Sequence, residues 1–166
     1  KCDVSKFFYS INKEKLYQII SRYIKDKNLL KLTKKLIYHD NNESGIPIGN
    51  YTSQYFANIY LNELDHFVKE KLRIKYYIRY MDDFVLLLEN KERCRIVLNE
   101  IKNFLNSELK LKLNKKTNYF KNNQGVNFCG YKIFPTHIKL KKENKKKIRK
   151  KIKKWNKLYH EKKLDL

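Results

Sequence analysis

Acidic residues are scarce in this sequence. Its 166 residues include 17 Asp and Glu against 39 Lys and Arg, which gives a formal net charge of +22. Such an excess is more than solubility requires and opposes compaction by self-repulsion, so it indicates a polyanionic partner. Nucleic acid is the leading candidate, and an acidic membrane surface is the alternative. Apolar residues still make up 42% of the chain, enough for one core of ordinary size.

The sequence also lacks long apolar runs, paired cysteines and clustered histidines. No run is long enough for a membrane-spanning helix and no signal peptide is recognised, so a membrane partner is not expected. Three widely spaced cysteines predict reduced thiols and a cytoplasmic protein. Four scattered histidines show no zinc-ligand spacing. The single methionine is Met81, so we expect Lys1 to lie inside a longer natural protein.

Hydrophobic periodicity predicts helices mixed with short strands. Residues 1–11 predict a strand that runs into a turn. The other predicted strands are 75–80, 84–88, 109–113, 117–121, 126–134 and 137–140. The predicted helices are 12–24, one carrying Leu29, Leu32, Leu36 and Ile37, 52–72, 92–107 and one from Glu143. Residues 40–50 hold two of the four glycines and one of the two prolines, which predicts a loop. The pattern favours an α+β fold in which helices cover one face of an antiparallel sheet and leave the other free.

Two adjacent carboxylates, Asp82 and Asp83, interrupt the most hydrophobic stretch, YIRYMDDFVLLL. Strand side chains alternate, so both can face one way only at a tight turn, and the flanking runs predict a hairpin with the pair at its tip. Neighbouring carboxylates repel unless cations neutralise them, and Mg²⁺ prefers such oxygen ligands. Asp3, on another predicted strand, could complete the set. A solvated turn would also explain the pair alone.

Five stretches, in order, resemble the reverse transcriptase family. YMDD (80–83) is similar to its catalytic hairpin, KCDVSKFFYSI (1–11) to the strand with its first catalytic Asp, and GIPIGNYTSQYFANIYLNELD (45–65) to the loop and helix that hold nucleotide and template. LNKKT (113–117) resembles the loop with a lysine near the triphosphate, and GVNFCGYKI (125–133) resembles the primer grip. The chain looks most like the bacterial group of group II intron, retron and diversity-generating retroelement enzymes. Gly49-Asn50-x-x-Ser53-Gln54 favours the diversity-generating type.

The resemblance implies template-directed nucleotidyl transfer by two metal ions, Mg²⁺ with Mn²⁺ as a substitute. It implies metal ligation by Asp3, Asp82, Asp83 and the backbone carbonyl of Val4. The implied catalytic residues are Asp3, Asp82, Asp83 and Lys116, the lysine acting on the leaving pyrophosphate. The implied partners are an RNA template, a DNA primer and product, deoxynucleoside triphosphates and an accessory retroelement protein.

Nucleotide contacts are implied for Phe8, Pro47, Ile48 and Gly49. Phe8 falls where the family has an aromatic wall that excludes a 2′ hydroxyl, although a core position would also explain it. Many members carry Gln at the position of Ile48, and isoleucine offers no hydrogen bond, so we expect Ile48→Gln to alter misincorporation. The primer grip is implied at Phe128, Cys129, Gly130 and Tyr131, which a plain core hairpin would also explain.

Residues 139–154 contain eleven Lys or Arg and a single acidic residue, Glu143. A helix with one apolar stripe, Ile148, Ile152 and Trp155, and cations elsewhere suits phosphate contacts without sequence preference. The expected backbone contacts are Lys145, Lys146, Lys147, Arg149, Lys150 and Lys153. By resemblance, 1–136 form the polymerase palm, 137–166 begin the thumb, and the fingers lie outside this sequence. A basic amphipathic helix on a membrane remains the alternative.

The leading hypothesis is therefore an RNA-directed DNA polymerase, present as a fragment that we expect to be inactive alone. The alternative is a catalytically inactive, polymerase-like module that binds nucleic acid. A helical scaffold would leave the acidic hairpin unexplained.

Overall fold

The computed structural model describes residues 1–161, which fold as two compact units, Lys1–Tyr119 and a second unit from Phe120 onward. The first unit contains, in order, β1 (Cys2–Asp3), α1 (Phe7–Ser10), α2 (Lys13–Tyr23), α3 (Lys27–Ile37), α4 (Tyr51–His66), a π-helical turn (Phe67–Lys71), β2 (Tyr76–Tyr80), β3 (Asp83–Leu87) and α5 (Lys91–Ser107). The second contains a 3₁₀ turn (Asn122–Gln124), β4 (Val126–Phe128), β5 (Tyr131–Ile133), β6 (Ile138–Leu140) and α6 (Lys142–His160). The mixed helical and antiparallel-sheet class predicted from the sequence is confirmed.

The sheet of the first unit has three antiparallel strands in the order β1-β3-β2. The predicted hairpin is confirmed, because Tyr80 pairs with Asp83 and leaves only Met81 and Asp82 in the turn. The strand that carries Asp3 pairs with β3 on its other side, so the two acidic segments are neighbours in the sheet. This adjacency confirms the placement on which the sequence argument depended.

The two faces of this sheet differ in burial. Cys2 and Phe84 are cross-strand partners on the inner face and belong to the helix-lined core. Alternate residues of β2, namely Tyr76, Ile78 and Tyr80, are 57–65% exposed on the outer face. Val85, the β3 partner of Ile78 on this outer face, is nevertheless buried, so the face that was predicted to be free is exposed along β2 and covered at Val85.

The helices form where their apolar periodicity predicts them, and α2 shows why. The side chain of Asn12 accepts a hydrogen bond from the Lys15 amide and caps the helix. Its buried face comprises Leu16, Ile19 and Ile20. The predicted apolar stripe of α3 is not the buried face of this helix. Of its four members only Ile37 is buried, together with Thr33. Leu29, Leu32 and Leu36 are 40–53% exposed, because α3 packs through the face that carries Thr33 and Ile37.

Two predicted strands are wrong, and a third, 126–134, is divided by a turn into β4 and β5. The first strand runs into a turn as predicted, since it ends at Asp3 and Lys6 adopts a left-handed conformation with φ 48° before α1. Residues 109–113 bury Leu109 and Leu111 but form only one bridge, between Val4 and Leu113, since Lys110 has φ 54°. Residues 117–121 form no strand. Alternating leucines here indicate core contact without strand pairing.

In the second unit, β4, β5 and β6 form an antiparallel meander. The β4–β5 loop is Cys129-Gly130, with φ 46° and 84°, and two positive φ values are what a type I′ hairpin turn requires. Within residues 1–161, none of the helices combines the length and apolar character that crossing a bilayer requires. The palm and thumb boundary at 136/137 stays a prediction, and residues 162–166 of the predicted thumb lie outside the described residues.

Candidate active site

The candidate site begins at the turn Tyr80–Asp83, which joins β2 to β3. Met81, the first loop residue, has φ 53°, a left-handed conformation that a non-glycine residue holds only when its surroundings enforce it. Asp82 follows in the turn and Asp83 is the first residue of β3. The turn therefore breaks the alternation that would otherwise place the two carboxylates on opposite faces.

Strand pairing brings the first acid to this turn. Asp3 lies opposite Asp83 in the β1–β3 register, and the Val4 amide donates to the Asp82 carbonyl at 3.2 Å. Directly opposed residues of an antiparallel pair share a face of the sheet. Asp3, Val4, Asp82 and Asp83 are therefore neighbours along the sheet backbone, and their role in metal ligation stays a prediction.

The electrostatics of Asp3 and Asp82 reflect this crowding. Partial burial and then the charges of Asp82 and Asp83 raise the pKa of Asp3 above its ordinary value. Burial and the charge of Asp83 likewise raise the pKa of Asp82. Because burial and like charge both disfavour the ionised form, the site favours cations near these carboxylates.

Asp83 has a partner of its own. Its Oδ2 accepts a hydrogen bond from Lys1 Nζ at 2.7 Å in a part-buried ion pair, while its buried Oδ1 accepts none. Within residues 1–161, no three His, Cys, Asp or Glu side chains form a group with metal-binding geometry. The donor set still suits Mg²⁺, because this ion is commonly held by one or two carboxylates together with substrate phosphates. Asp3 and Asp82 supply two such carboxylates.

The predicted lysine loop packs against β1. The Asn114 amide donates to the Asp3 carbonyl at 2.7 Å, and the Asp3 amide donates to Thr117 Oγ1 at 3.3 Å. Inside the loop, Asn114 Oδ1 accepts from the Lys116 amide at 3.0 Å. These bonds attach the loop that carries the exposed Lys116 to the Asp3 backbone, and the predicted role of Lys116 stays a prediction.

The predicted nucleotide-binding residues lie on two tied segments. The Ile46 amide donates to the Phe8 carbonyl at 2.9 Å, so the loop that continues into Pro47, Ile48 and Gly49 is fixed to α1. Phe8 is half-buried, whereas Phe7 is 3% exposed and belongs to the core. Ile48 is 60% exposed at the loop tip, and Gly49 has φ 96°.

The remaining predicted residues belong to the second unit. Phe128 is buried, while Cys129 and Tyr131 are exposed on the hairpin. The Gly130 carbonyl accepts from Asn144 Nδ2 and from the Lys141 amide, each at 3.1 Å, which ties the hairpin to the start of α6. All of the predicted phosphate-contacting residues on α6 are exposed, namely Lys145, Lys146, Lys147, Arg149, Lys150 and Lys153.

Sequence reasoning missed several residues that shape the site. Lys1 pairs with Asp83, and Arg79 bridges the turn to Asp65 of α4. Burial alone would lower the pKa of Arg79, but the hydrogen bond and charge of Asp65 outweigh it and raise this pKa. The available signal was the position of Arg79 on the inner face of an aromatic-rich strand. Charged residues are rarely buried without a partner, so this position predicts an acidic partner.

The site combines an acidic residue on one strand, an acidic turn on the neighbouring strand and a lysine-containing loop. This combination is consistent with the class of nucleic-acid polymerases. Residues 1–133 match the family model described as "Reverse transcriptase (RNA-dependent DNA polymerase)". Because this match covers most of the 166 residues, the chain belongs to the reverse transcriptase family.

Curated relatives agree with this assignment. The chain is 25% identical to the putative COX1/OXI3 intron 2 protein of Saccharomyces cerevisiae, over 80% of this chain and 23% of that protein. It is 25% identical to the group II intron-encoded protein LtrA of Lactococcus lactis, over 79% of this chain and 34% of that protein. It is 28% identical to the retron Ec73 reverse transcriptase of Escherichia coli, over 90% of this chain and 52% of that protein. The chain thus spans between about a quarter and half of the length of these relatives.

Proposed function

We propose that this chain is the catalytic part of an RNA-directed DNA polymerase that copies an RNA template by adding deoxynucleotides to a DNA primer. The observation that carries the proposal is the register that sets Asp3 opposite Asp83 and beside the Asp82 turn. Family membership supports the same reaction. Phosphoryl transfer of this kind depends mainly on positioning reactants and stabilising charge.

Asp3, Asp82 and the Val4 carbonyl would hold the divalent ions, Mg²⁺ or Mn²⁺, with Asp83 adjoining them. These ions, two by the family mechanism, would activate the primer 3′ oxygen and stabilise charge on the leaving pyrophosphate. The raised pKa values of Asp3 and Asp82 support this assignment, because a site strained by like charge is stabilised by bound cations.

The other residues of the first unit act on the nucleotide. Lys116, fixed near Asp3 by its loop, neutralises or protonates the leaving pyrophosphate. Phe8 forms the wall that excludes a ribose 2′ hydroxyl, and the Pro47–Gly49 loop contacts the base and sugar. The hydrogen bond between Ile46 and Phe8 supports a shared pocket for these two segments.

The second unit would hold the primer and the duplex. The hairpin Phe128–Tyr131 grips the primer end, and the cationic surface of α6 lies along the phosphate backbone as the beginning of a thumb. In this assignment residues 1–136 are the palm. An accessory protein of the retroelement is a further proposed partner.

We assign the element type from sequence features rather than geometry. The Gly49-Asn50-x-x-Ser53-Gln54 pattern supports the diversity-generating type, while the named relatives are group II intron and retron proteins. The natural template is accordingly an RNA of one of these bacterial retroelements.

A second candidate is a polymerase-like module that binds nucleic acid without turnover. One observation favours it, namely that Lys1 already neutralises Asp83. In this case the basic surface would bind primer and template while no extension occurs.

Primer extension on an RNA template with Mg²⁺ separates the two candidates. The complete natural protein, residues 1–166 alone, and Asp82→Ala and Glu89→Ala variants of the complete protein are compared. The proposal requires that the complete protein extends the primer and that Asp82→Ala does not. Glu89→Ala is the control and should extend the primer, because Glu89 is an exposed acidic residue that follows β3. Residues 1–166 alone are expected to bind without extending. Binding without extension by the complete protein at every metal concentration would establish the second candidate.

A further inference from the structure

Arg79 is the residue that connects the acidic turn to the helical layer. It lies on β2, and its side chain is only 11% exposed. Its Nε donates to Asp65 Oδ1 at 2.8 Å and its Nη2 donates to Asp65 Oδ2 at 2.5 Å, a bidentate pair with α4. Tyr77, two residues earlier on the same face of β2, donates its hydroxyl to Asp65 Oδ1 at 2.6 Å. Asp65 thereby accepts three hydrogen bonds from two side chains of β2.

The remaining arm of the guanidinium reaches the turn itself. Nη1 donates to the Met81 carbonyl at 3.0 Å and to Asn58 Oδ1 at 3.1 Å. Asn58 and Asp65 are both on α4 and are seven residues apart, which places them on one helical face. One planar side chain thus joins two points of α4 to the carbonyl that directly precedes Asp82.

The backbone at this carbonyl needs such a contact. Met81 has φ 53°, a conformation that is unfavourable for a residue with a Cβ and persists only when the surrounding structure fixes it. The two ladder pairs nearest the turn, Tyr80 with Asp83 and Arg79 with Phe84, restrain its ends but not its loop residues. Within the loop, the Val4 amide holds the Asp82 carbonyl from β1, the Met81 side chain packs against the core, and Arg79 holds the Met81 carbonyl from the side of α4.

We propose that Arg79 is a positioning residue, which fixes the Met81–Asp82 backbone against α4 and thereby sets the direction of the Asp82 carboxylate. The role in catalysis rests on the proposed function, whereas the restraint on the turn does not. Lysine could not replace arginine here, because a single ammonium group cannot form the bidentate pair with Asp65 and also reach the Met81 carbonyl.

The structure offers a matched control on the same helix. Arg22 of α2 donates from Nη1 to Glu63 Oε2 at 3.1 Å, an arginine–carboxylate pair that also involves α4 but does not include the hairpin. Arg22→Lys therefore tests the general cost of replacing an arginine that is paired with α4. Asp65→Asn is the second variant, because it keeps the shape of the side chain and removes the charge that pairs with Arg79. It tests the same restraint if the Arg79→Lys protein fails to fold.

The experiment measures amide hydrogen exchange of peptides spanning residues 76–87 in the complete, metal-free protein. Exchange at residues 81–83 is expected to be about 10-fold faster in Arg79→Lys and Asp65→Asn than in wild type, and unchanged in Arg22→Lys. Primer extension by the same two hairpin variants is expected to show a kcat about 10-fold to 100-fold lower and a higher half-saturating Mg²⁺ concentration, at nearly unchanged KM for the nucleotide.

Unchanged exchange in the hairpin would overturn the proposal, and so would faster exchange with a wild-type kcat and Mg²⁺ dependence. Equal effects of Arg79→Lys and Arg22→Lys would also overturn it, because they would show a general loss of stability. If the wild-type protein extends no primer, the proposed polymerase function fails, and the exchange comparison still decides whether Arg79 restrains the turn.

Discussion

Asp3 and Asp83 lie directly opposite each other on adjacent antiparallel strands. Like charges in this position destabilise a sheet, and Asp82 adds a third carboxylate at the turn. Lys1 offsets part of this repulsion through its ion pair with Asp83 and its charge near Asp3. The arrangement is costly to the fold and useful to a cation-dependent reaction, so stability and activity should respond to it in opposite directions.

The first prediction concerns Asp3→Asn in the metal-free protein. The pKa of Asp3 is raised above 3.8, so its contribution to stability is fully present below 3.8 and is lost as the pH rises through the raised value. Asp3→Asn should therefore melt at a higher temperature than wild type near pH 7 and at the same temperature at low pH. Thermal unfolding curves across this range measure the difference, and added Mg²⁺ should stabilise wild type but not the variant.

Asp40→Asn is a control for which we expect the opposite change in melting temperature at pH 7. A hydrogen bond from the buried Lys13 lowers the pKa of Asp40, so its contribution is present above 3.8 and is lost as the pH falls through the lowered value. Asp40→Asn should therefore melt lower than wild type at pH 7. The first prediction is contradicted if metal-free Asp3→Asn is also less stable than wild type at pH 7, as Asp40→Asn is expected to be.

The fold was predictable where local patterns determine it. Asn12 capping α2, the helical stripe of Leu16, Ile19 and Ile20, and the β2–β3 hairpin follow from short-range chemistry, although the turn is one residue shorter than predicted because Asp83 belongs to β3. The strands predicted at 109–113 and 117–121 were wrong because alternation reports burial, and pairing depends on distant partners. The exposure of Leu29, Leu32 and Leu36 has a similar cause, since apolar periodicity in α3 does not state which face meets α2.

The acidic residues of the site could be predicted from the sequence, but the residues that pair with the turn and with Asp83 could not. Adjacent Asp82 and Asp83 in an apolar stretch are conspicuous, and the motif resemblance added Asp3. Nothing local links Arg79 to Asp65, 14 residues away, or Lys1 to Asp83, 82 residues away. Such partners are selected by the sheet register and helix packing, which the sequence pattern leaves open.

The second prediction concerns sugar discrimination by Phe8. Its half-buried ring, tied through its backbone to the Pro47–Gly49 segment, should exclude a 2′ hydroxyl. Phe8→Ala should raise ribonucleotide incorporation relative to deoxynucleotide incorporation by roughly 10-fold or more, measured as the ratio of kcat/KM values. Phe7→Ala should instead lower stability by about 3–5 kcal/mol, because Phe7 is 3% exposed in the core. An unchanged ratio in Phe8→Ala would assign Phe8 to the core as well.

The third prediction concerns base selection at Ile48. This side chain is 60% exposed, so substitutions at Ile48 should leave the fold intact. Ile48→Gln adds a hydrogen-bonding group and should lower misincorporation several-fold, most visibly opposite template adenine. Ile48→Leu adds no such group and should reproduce the wild-type errors. Sequenced extension products measure both, and identical error spectra for the Gln and Leu variants would remove the role of Ile48.

The fourth prediction concerns the cationic surface of α6. Replacing Lys146, Lys150 and Lys153 by Gln should weaken primer–template binding and reduce the slope of log affinity against log salt by about 2–3, since each lost phosphate contact lowers it by about 0.7–0.9. The control replaces Lys27, Lys31 and Lys35, three exposed lysines of α3, and removes the same net charge. Titrations at several salt concentrations should show a nearly unchanged slope for the α3 variant. Equal losses in the two variants would mean that net charge, rather than α6, attracts the nucleic acid.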